Sequence, residues 1–152
     1  MNLERYECTA DSQFSSFTFD SIGPNGTIRK VVNYEQIPGI FLPDGSAVRN
    51  LAFGDWNEVE ERIDDGIVSS NNDRDKVLAT VASTIISFTE KHGKIPVYAE
   101  GSSPAKTRLY QMGINAHLDT IKSLFWIYGR IEGEWEVFES GVNFEAFLVI
   151  RK

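Results

Sequence analysis

Asn72-Asp-Arg-Asp-Lys-Val-Leu-Ala-Thr-Val-Ala-Ser-Thr-Ile-Ile-Ser-Phe-Thr-Glu-Lys-His-Gly93 is the stretch on which the architecture turns. Val77, Leu78, Val81, Ala82, Ile85 and Phe88 recur at three- and four-residue spacing, which places them on one face of an α-helix. Asn72 or Asp73 can cap its start, Asp73 and Asp75 suit the positive end of its dipole, and Gly93 can close it. Ser83, Thr84, Ser87 and Glu90 fall largely on the other side. The spacing predicts a helix with one buried stripe, the spine of a core.

The segments before this helix read as β. Phe14-Ser-Ser-Phe-Thr-Phe-Asp20 puts Phe17 and Phe19 on one face, and Thr27-Ile-Arg-Lys-Val-Val-Asn-Tyr34 returns as a β-branched partner strand. Pro24-Asn25-Gly26 between them is turn chemistry, so a hairpin is expected. Pro38-Gly39 and Pro43-Asp44-Gly45 mark further turns, and Ala47–Phe53 is a short strand weakened by Asn50 and Ala52. The acidic run from Asp55 to Asn72, with Asp64-Asp65-Gly66 and Ser69-Ser-Asn-Asn72, reads mainly as loop.

After the helix, Ile95-Pro-Val-Tyr-Ala99 is a short buried strand, with Pro96 at its start or on an edge. A second helix begins at Ser103-Pro104, and Gly113 is expected to end or kink it. Asn115–Leu124 continues as a third helix with Leu118, Ile121 and Leu124 on one stripe. The tail returns to β: Trp126–Ile131, a turn at Glu132-Gly133, Glu134–Phe138, then Phe144–Ile150. Strands, helices and strands in that order predict a two-layer α+β fold, an antiparallel-rich sheet with about three helices on one face. No repeat, low-complexity tract or linker interrupts residues 1–152, so one domain is expected.

Composition narrows the classes of function. A net charge of -7 argues against general binding to duplex DNA or an anionic membrane, and no apolar run approaches the length of a bilayer span. Cys8 is the single cysteine, which fits a reducing compartment, and the charged Met1–Glu7 does not read as a signal peptide. A cytoplasmic protein is the expectation.

The most chemically loaded segment is Gly101-Ser-Ser-Pro-Ala-Lys-Thr-Arg-Leu-Tyr110, where a strand runs into a helix. The first turn of a helix exposes unpaired N–H groups and a partial positive charge, which favour an anion. Acidic residues usually occupy that turn, but here Lys106 and Arg108 do. Gly101, Ser102, Ser103, Lys106, Thr107, Arg108 and Tyr110 are therefore candidate anion-binding residues. Helical spacing puts Ser103, Lys106, Thr107 and Tyr110 on one face, turns Arg108 well away from Lys106, and gives Ala105, Leu109 and Met112 a second, buriable face. The alternative is an ordinary capped helix whose basic residues pair with the abundant carboxylates.

Ala105-Lys106-Thr107 looks like the end of a Walker loop, but Glu100 and Ala105 stand where its two glycines are required. Asn71, Asp73 and Asp75 alternate as in a calcium loop, without the glycine and glutamate that complete one, and Asp55, Asp64 and Asp65 add no recognisable metal spacing. His92 and His117 lack cysteine or histidine partners at zinc spacing, and Cys8 has no adjacent histidine. His92 suits the last turn of the first helix as a cation. Trp56, Trp126 and Trp135 with Tyr98, Tyr110 and Tyr128 are explained first by core and sheet packing; base stacking has only Tyr128 and Gly129-Arg130 in its favour. The sequence asks for no cofactor and no metal, and leaves enzymatic activity open.

The run Gly101–Tyr110 resembles the signature of a family of small bacterial proteins, found largely in Bacteroidetes, whose activity is not established. The resemblance extends to Leu51-Ala-Phe-Gly-Asp55, to Asn72-Asp73 with Lys76-Val-Leu-Ala-Thr-Val81, and to Asn143-Phe-Glu-Ala-Phe-Leu148. The family's usual residue at position 106 is arginine, so Lys106 keeps the charge but loses the bidentate fork. The resemblance implies a coherent fold and a bacterial origin, and no catalytic residues.

Three readings follow. The first is an accessory or interaction protein that takes a phosphate-bearing ligand, or an acidic segment of a protein partner, at residues 101–110. The second is a toxin or defence component acting on a phosphodiester through Lys106, Arg108 and Tyr110. The third is a structural or oligomeric module without a ligand.

Overall fold

A computed structural model describes residues 4–41, 43–45, 47–64 and 71–152. Nine strands and three helices are present among them, and the fold is α+β. The hairpin pairs β2 (Ser16–Gly23) with β3 (Gly26–Phe41), Gly23 opposite Gly26, and Gly26 takes φ +85° at the turn. A two-residue strand, β1 (Thr9–Ala10), lines the outer edge of β2. β3 runs well past Tyr34 and pairs with β4 (Ala47–Asn57), although the ladder is interrupted between Gln36 and Phe41 around Pro38-Gly39.

The acidic run is not simply loop. β4 continues to Asn57, and β5 (Arg62–Asp64) folds back on it, with Trp56 opposite Ile63. Gly54 has to be glycine, since a Cβ there would stand 2.6 Å from the Asp64 carbonyl oxygen. Asp65, Gly66, Ser69 and Ser70, also read as loop, lie outside the described residues.

α1 (Arg74–His92) leads into β6 (Val97–Ala99), which lies parallel to β4 and antiparallel to β9 (Ala146–Arg151). β6 is thus central, and Pro96 is tolerated because it precedes the strand and offers only its carbonyl, to the Arg49 N–H at 2.9 Å. α2 (Pro104–Ala116) and α3 (Leu118–Leu124) follow, then β7 (Phe125–Ile131) and β8 (Glu134–Val137). Glu132 and Gly133 both take positive φ in the two-residue turn of that last hairpin, which suits its twist. The sheet order is β1-β2-β3-β4-β6-β9-β7-β8, with β5 beside β4.

One face of the sheet meets the helices. Phe17, Phe19, Val32, Tyr34, Leu51, Phe53, Val97, Ile127, Phe147 and Val149 bury there against Val77, Val81 and Phe88 of α1 and Tyr110 of α2. Three expectations need correction. Thr84 is not on an outer side; it is 1% exposed and shares a 2.7 Å hydrogen bond with the Tyr34 hydroxyl. Gly113 does not end α2, which runs on to Ala116; it packs against α1, where a Cβ would meet the Leu78 side chain at 3.3 Å. Asp73 stands at the N-cap without capping; its carboxylate instead accepts from Ser21 Oγ at 2.5 Å and from the Tyr6 hydroxyl at 2.6 Å, tying α1 to β2. Among the described residues no helix is long and apolar enough to cross a membrane.

Candidate functional site

The turn from β6 into α2 is built by short-range hydrogen bonds. Ser103 is extended at φ -145°, and its Oγ accepts from the Lys106 N–H at 3.2 Å, while Pro104 fills the first helical position. Thr107 Oγ1 accepts from the Gly101 N–H at 3.0 Å and donates to the Ser103 carbonyl at 3.2 Å. Gly101 comes so close to the helix start that a Cβ would lie 2.3 Å from the Thr107 nitrogen. Much of the segment's unusual composition is therefore structural.

The predicted anion-binding residues divide between the interior and a cleft. Lys106 is 3% exposed; its Nζ donates to the Phe53 carbonyl oxygen and lies 5.4 Å from the centre of the Phe53 ring. Tyr110 is 8% exposed and belongs to the core. The helix is rotated from the expected setting, so that Lys106, Tyr110 and Gly113 turn inward, while Ala105 is exposed and Met112 is 36% exposed. The long aliphatic stem of lysine makes this burial feasible when its ammonium finds an acceptor.

Gly101, Ser102, Ser103, Thr107 and Arg108 do come together. They line an open cleft of about 440 Å³ whose far side is Asn143, Phe144 and Glu145. Gln111 forms its floor and holds that far side: Nε2 donates to the Val142 carbonyl at 2.5 Å and Oε1 accepts from the Phe144 N–H at 3.0 Å. Gln111 is absent from the sequence reading, although it stands one turn beyond Thr107 on the same face. Arg108 is exposed, and among the described residues its side chain makes no ion pair or hydrogen bond. No acidic residue occupies the first turn of α2.

Glu100 and Glu145 also border the cleft, but Arg130 draws both aside, at 2.8 Å and 3.4 Å. The hydrogen bond from the Tyr98 hydroxyl, with those from Arg130 and its charge, holds the Glu100 carboxyl below the usual carboxylate range. It remains an anion beside Arg130 near neutrality.

Other candidates resolve differently. Among the described residues no three His, Cys, Asp or Glu side chains are placed to hold a metal ion. His92 stacks on Phe88 with ring centres 4.6 Å apart, and its Nε2 lies 2.7 Å from the Gln13 carbonyl oxygen. Burial pushes the Cys8 thiol up, away from thiolate character. Trp126 and Trp135, assigned to packing from the sequence, are 55% and 42% exposed on the sheet face opposite the helices.

The model of a family of unknown function, DUF6934, matches residues 2–152. The chain belongs to that family. Neither a curated protein nor a solved structure matches it. DUF6934 membership spans both the hairpin and the cleft, so the fold and the strand-to-helix turn are described by one family model.

Proposed function

We propose that this DUF6934 protein is a binding module that holds a compact anion, a phosphate or carboxylate of a small ligand or of a partner protein, in the cleft at the start of α2. The observation that supports it most is Arg108, an exposed guanidinium in that cleft with no carboxylate partner among the described residues. The first turn of α2 carries no acidic side chain to offset its positive end, and the Ser103 hydroxyl, which accepts from Lys106, keeps its own proton to donate. Lys106 has no part in this reading.

A role in cleaving a phosphodiester has less support. Lys106 and Tyr110, which would share the work with Arg108, are buried away from the cleft.

Inorganic phosphate titrated into labelled protein should shift the amide resonances of Ser103, Thr107 and Arg108 first, and Arg108→Gln should abolish the response. Arg108 is a surface residue, so that variant should keep its stability within about 0.5 kcal/mol. Unmoved resonances at millimolar phosphate, or an unchanged response in Arg108→Gln, would sink the reading.

A further inference from the structure

The face of the sheet turned away from the helices holds a concavity that the anion cleft does not use. Its floor is Asn50, Tyr98 and Leu148, which stand side by side because Asn50 pairs with Tyr98 and Tyr98 with Leu148. One wall is the indole of Trp135, 42% exposed. The other is the β3 segment from Ile37 to Ile40, where the ladder with β4 is interrupted. Pro38 has no N–H to give a neighbouring strand and Gly39 takes φ +76°, so the chain leaves the regular sheet there and forms a wall. The concavity is open to solvent; its volume, about 590 Å³, falls in the range of small-molecule sites, and its lining mixes apolar surface with a few polar groups.

Charge restricts what can enter. The Arg130 guanidinium lies 5.9 Å from the Tyr98 ring centre and 5.8 Å from that of Trp135, and is already held by Glu100 and Glu145. Glu35 adds a carboxylate at the rim. Arg130 and Glu35 are the two charged groups of the lining, and the charge of Arg130 is already met by Glu100 and Glu145. The concavity therefore offers a phosphate no unpaired cation, while Arg130 already takes the place a cationic ligand would want against the two rings. An indole wall beside a tyrosine floor favours a flat guest. The Asn50 carboxamide offers a donor and an acceptor side by side, the complement of a heterocycle edge. We infer that this concavity binds an uncharged heteroaromatic ring of the nucleobase type, stacked against Trp135 and met at its edge by Asn50.

The test is titration with adenosine, cytidine, adenosine 5′-monophosphate and inorganic phosphate, followed by tryptophan fluorescence and amide shifts. A nucleoside should quench fluorescence saturably and move the Asn50 and Tyr98 resonances, which phosphate leaves in place. Trp135→Leu should weaken nucleoside binding by about tenfold or more, whereas Trp135→Phe, which keeps a ring, should retain most of it. Asn50→Ala should weaken it without loss of fold, and decides the matter if Trp135→Leu does not fold. Nucleosides that leave Asn50 and Tyr98 unmoved at millimolar concentration, or that bind Trp135→Leu or a folded Asn50→Ala as well as the parent, overturn the inference. A monophosphate that binds there more tightly than its nucleoside overturns the assignment to an uncharged ring. The anion cleft reports through Ser103 and Arg108, so either site can fail alone.

Discussion

The ammonium of Lys106 donates to the carbonyl oxygen of Phe53 and lies over the ring of the same residue, 5.4 Å from its centre. A side chain that looks from the sequence like half of an anion site instead fastens the first turn of α2 to β4. Lys106→Ala should therefore cost about 2–4 kcal/mol, since it leaves a cavity and removes a charge-assisted hydrogen bond. Lys106→Met keeps the stem and should cost less, about 1–2 kcal/mol. Urea unfolding measures both. If Lys106→Met folded normally but lost phosphate binding, Lys106 would have to be returned to the cleft.

Gly101 is required for space. Its added Cβ would meet backbone, the Thr107 nitrogen at 2.3 Å, which cannot rotate aside as a side-chain tip can. Gly101→Ala should destabilise by about 2–3 kcal/mol. Gly45→Ala is the comparison: it has φ +88° and nothing within 4 Å among the described residues, so only backbone strain of about 1 kcal/mol is expected. Thermal and urea unfolding of the two variants should separate crowding from strain. Equal losses would mean that the approach of Gly101 to α2 is not tight.

The elements that were legible in the sequence share a local cause. The Phe17–Phe19 alternation, the Gly26 and Gly133 turns, the α1 stripe and the Ser103-Pro104 helix start are each set by a few neighbouring residues. What was not legible depends on partners distant in the chain. Which way α2 is rolled is decided by Phe53 and Leu78, so the inward residues proved to be Lys106, Tyr110 and Gly113 and not Ala105 and Met112. β5 pairs only three residues and depends on β4 running on to Asn57. Gln111 hydrogen-bonds Val142 and Phe144 across thirty-odd positions, and no spacing rule brings them together. Exposure of Trp135 follows from helices covering only one face, which its own strand pattern does not state.

Buried His117 should make the fold acid-sensitive. Its Nε2 has no hydrogen-bond partner among the described residues, and burial holds its pKa below the ordinary 6.5 despite the charge of Asp75. Below pH 6.5 the unfolded chain binds the proton more readily, so stability falls as pH drops from there toward the folded pKa, then levels. Replacement by Gln should flatten that interval in urea midpoints measured against pH. Asp73 acts lower down. Burial pushes its carboxyl up, but hydrogen bonds from Ser21 and Tyr6 and the charge of Lys30 outweigh this and hold it below 3.8. Its contribution is present above that value and is lost only as pH falls through its folded pKa. An unchanged profile in His117→Gln would assign the upper acid step to another group.

The pair Tyr34 and Thr84 allows a sharper test, because the direction of its hydrogen bond can be deduced. Thr84 Oγ1 gives its proton to the Val81 carbonyl at 2.7 Å, so the Tyr34 hydroxyl must be the donor in the 2.7 Å contact between them. Burial raises the phenol pKa far above its ordinary 10, which keeps that proton in place, and the ring is fixed by stacking on Phe88 at 4.3 Å. Tyr34→Phe removes the donor and leaves Thr84 still bonded to Val81. Thr84→Val leaves a buried hydroxyl with nothing to donate to, the costlier defect. The expected losses are about 1 kcal/mol for Tyr34→Phe and about 2 kcal/mol for Thr84→Val. In the Thr84→Val background, taking away the stranded hydroxyl should help, so the double variant should be more stable than Thr84→Val alone. A double-mutant cycle in urea gives the answer directly. Additive losses would show that the hydroxyl finds another acceptor, and that this contact does not fix α1 against the hairpin.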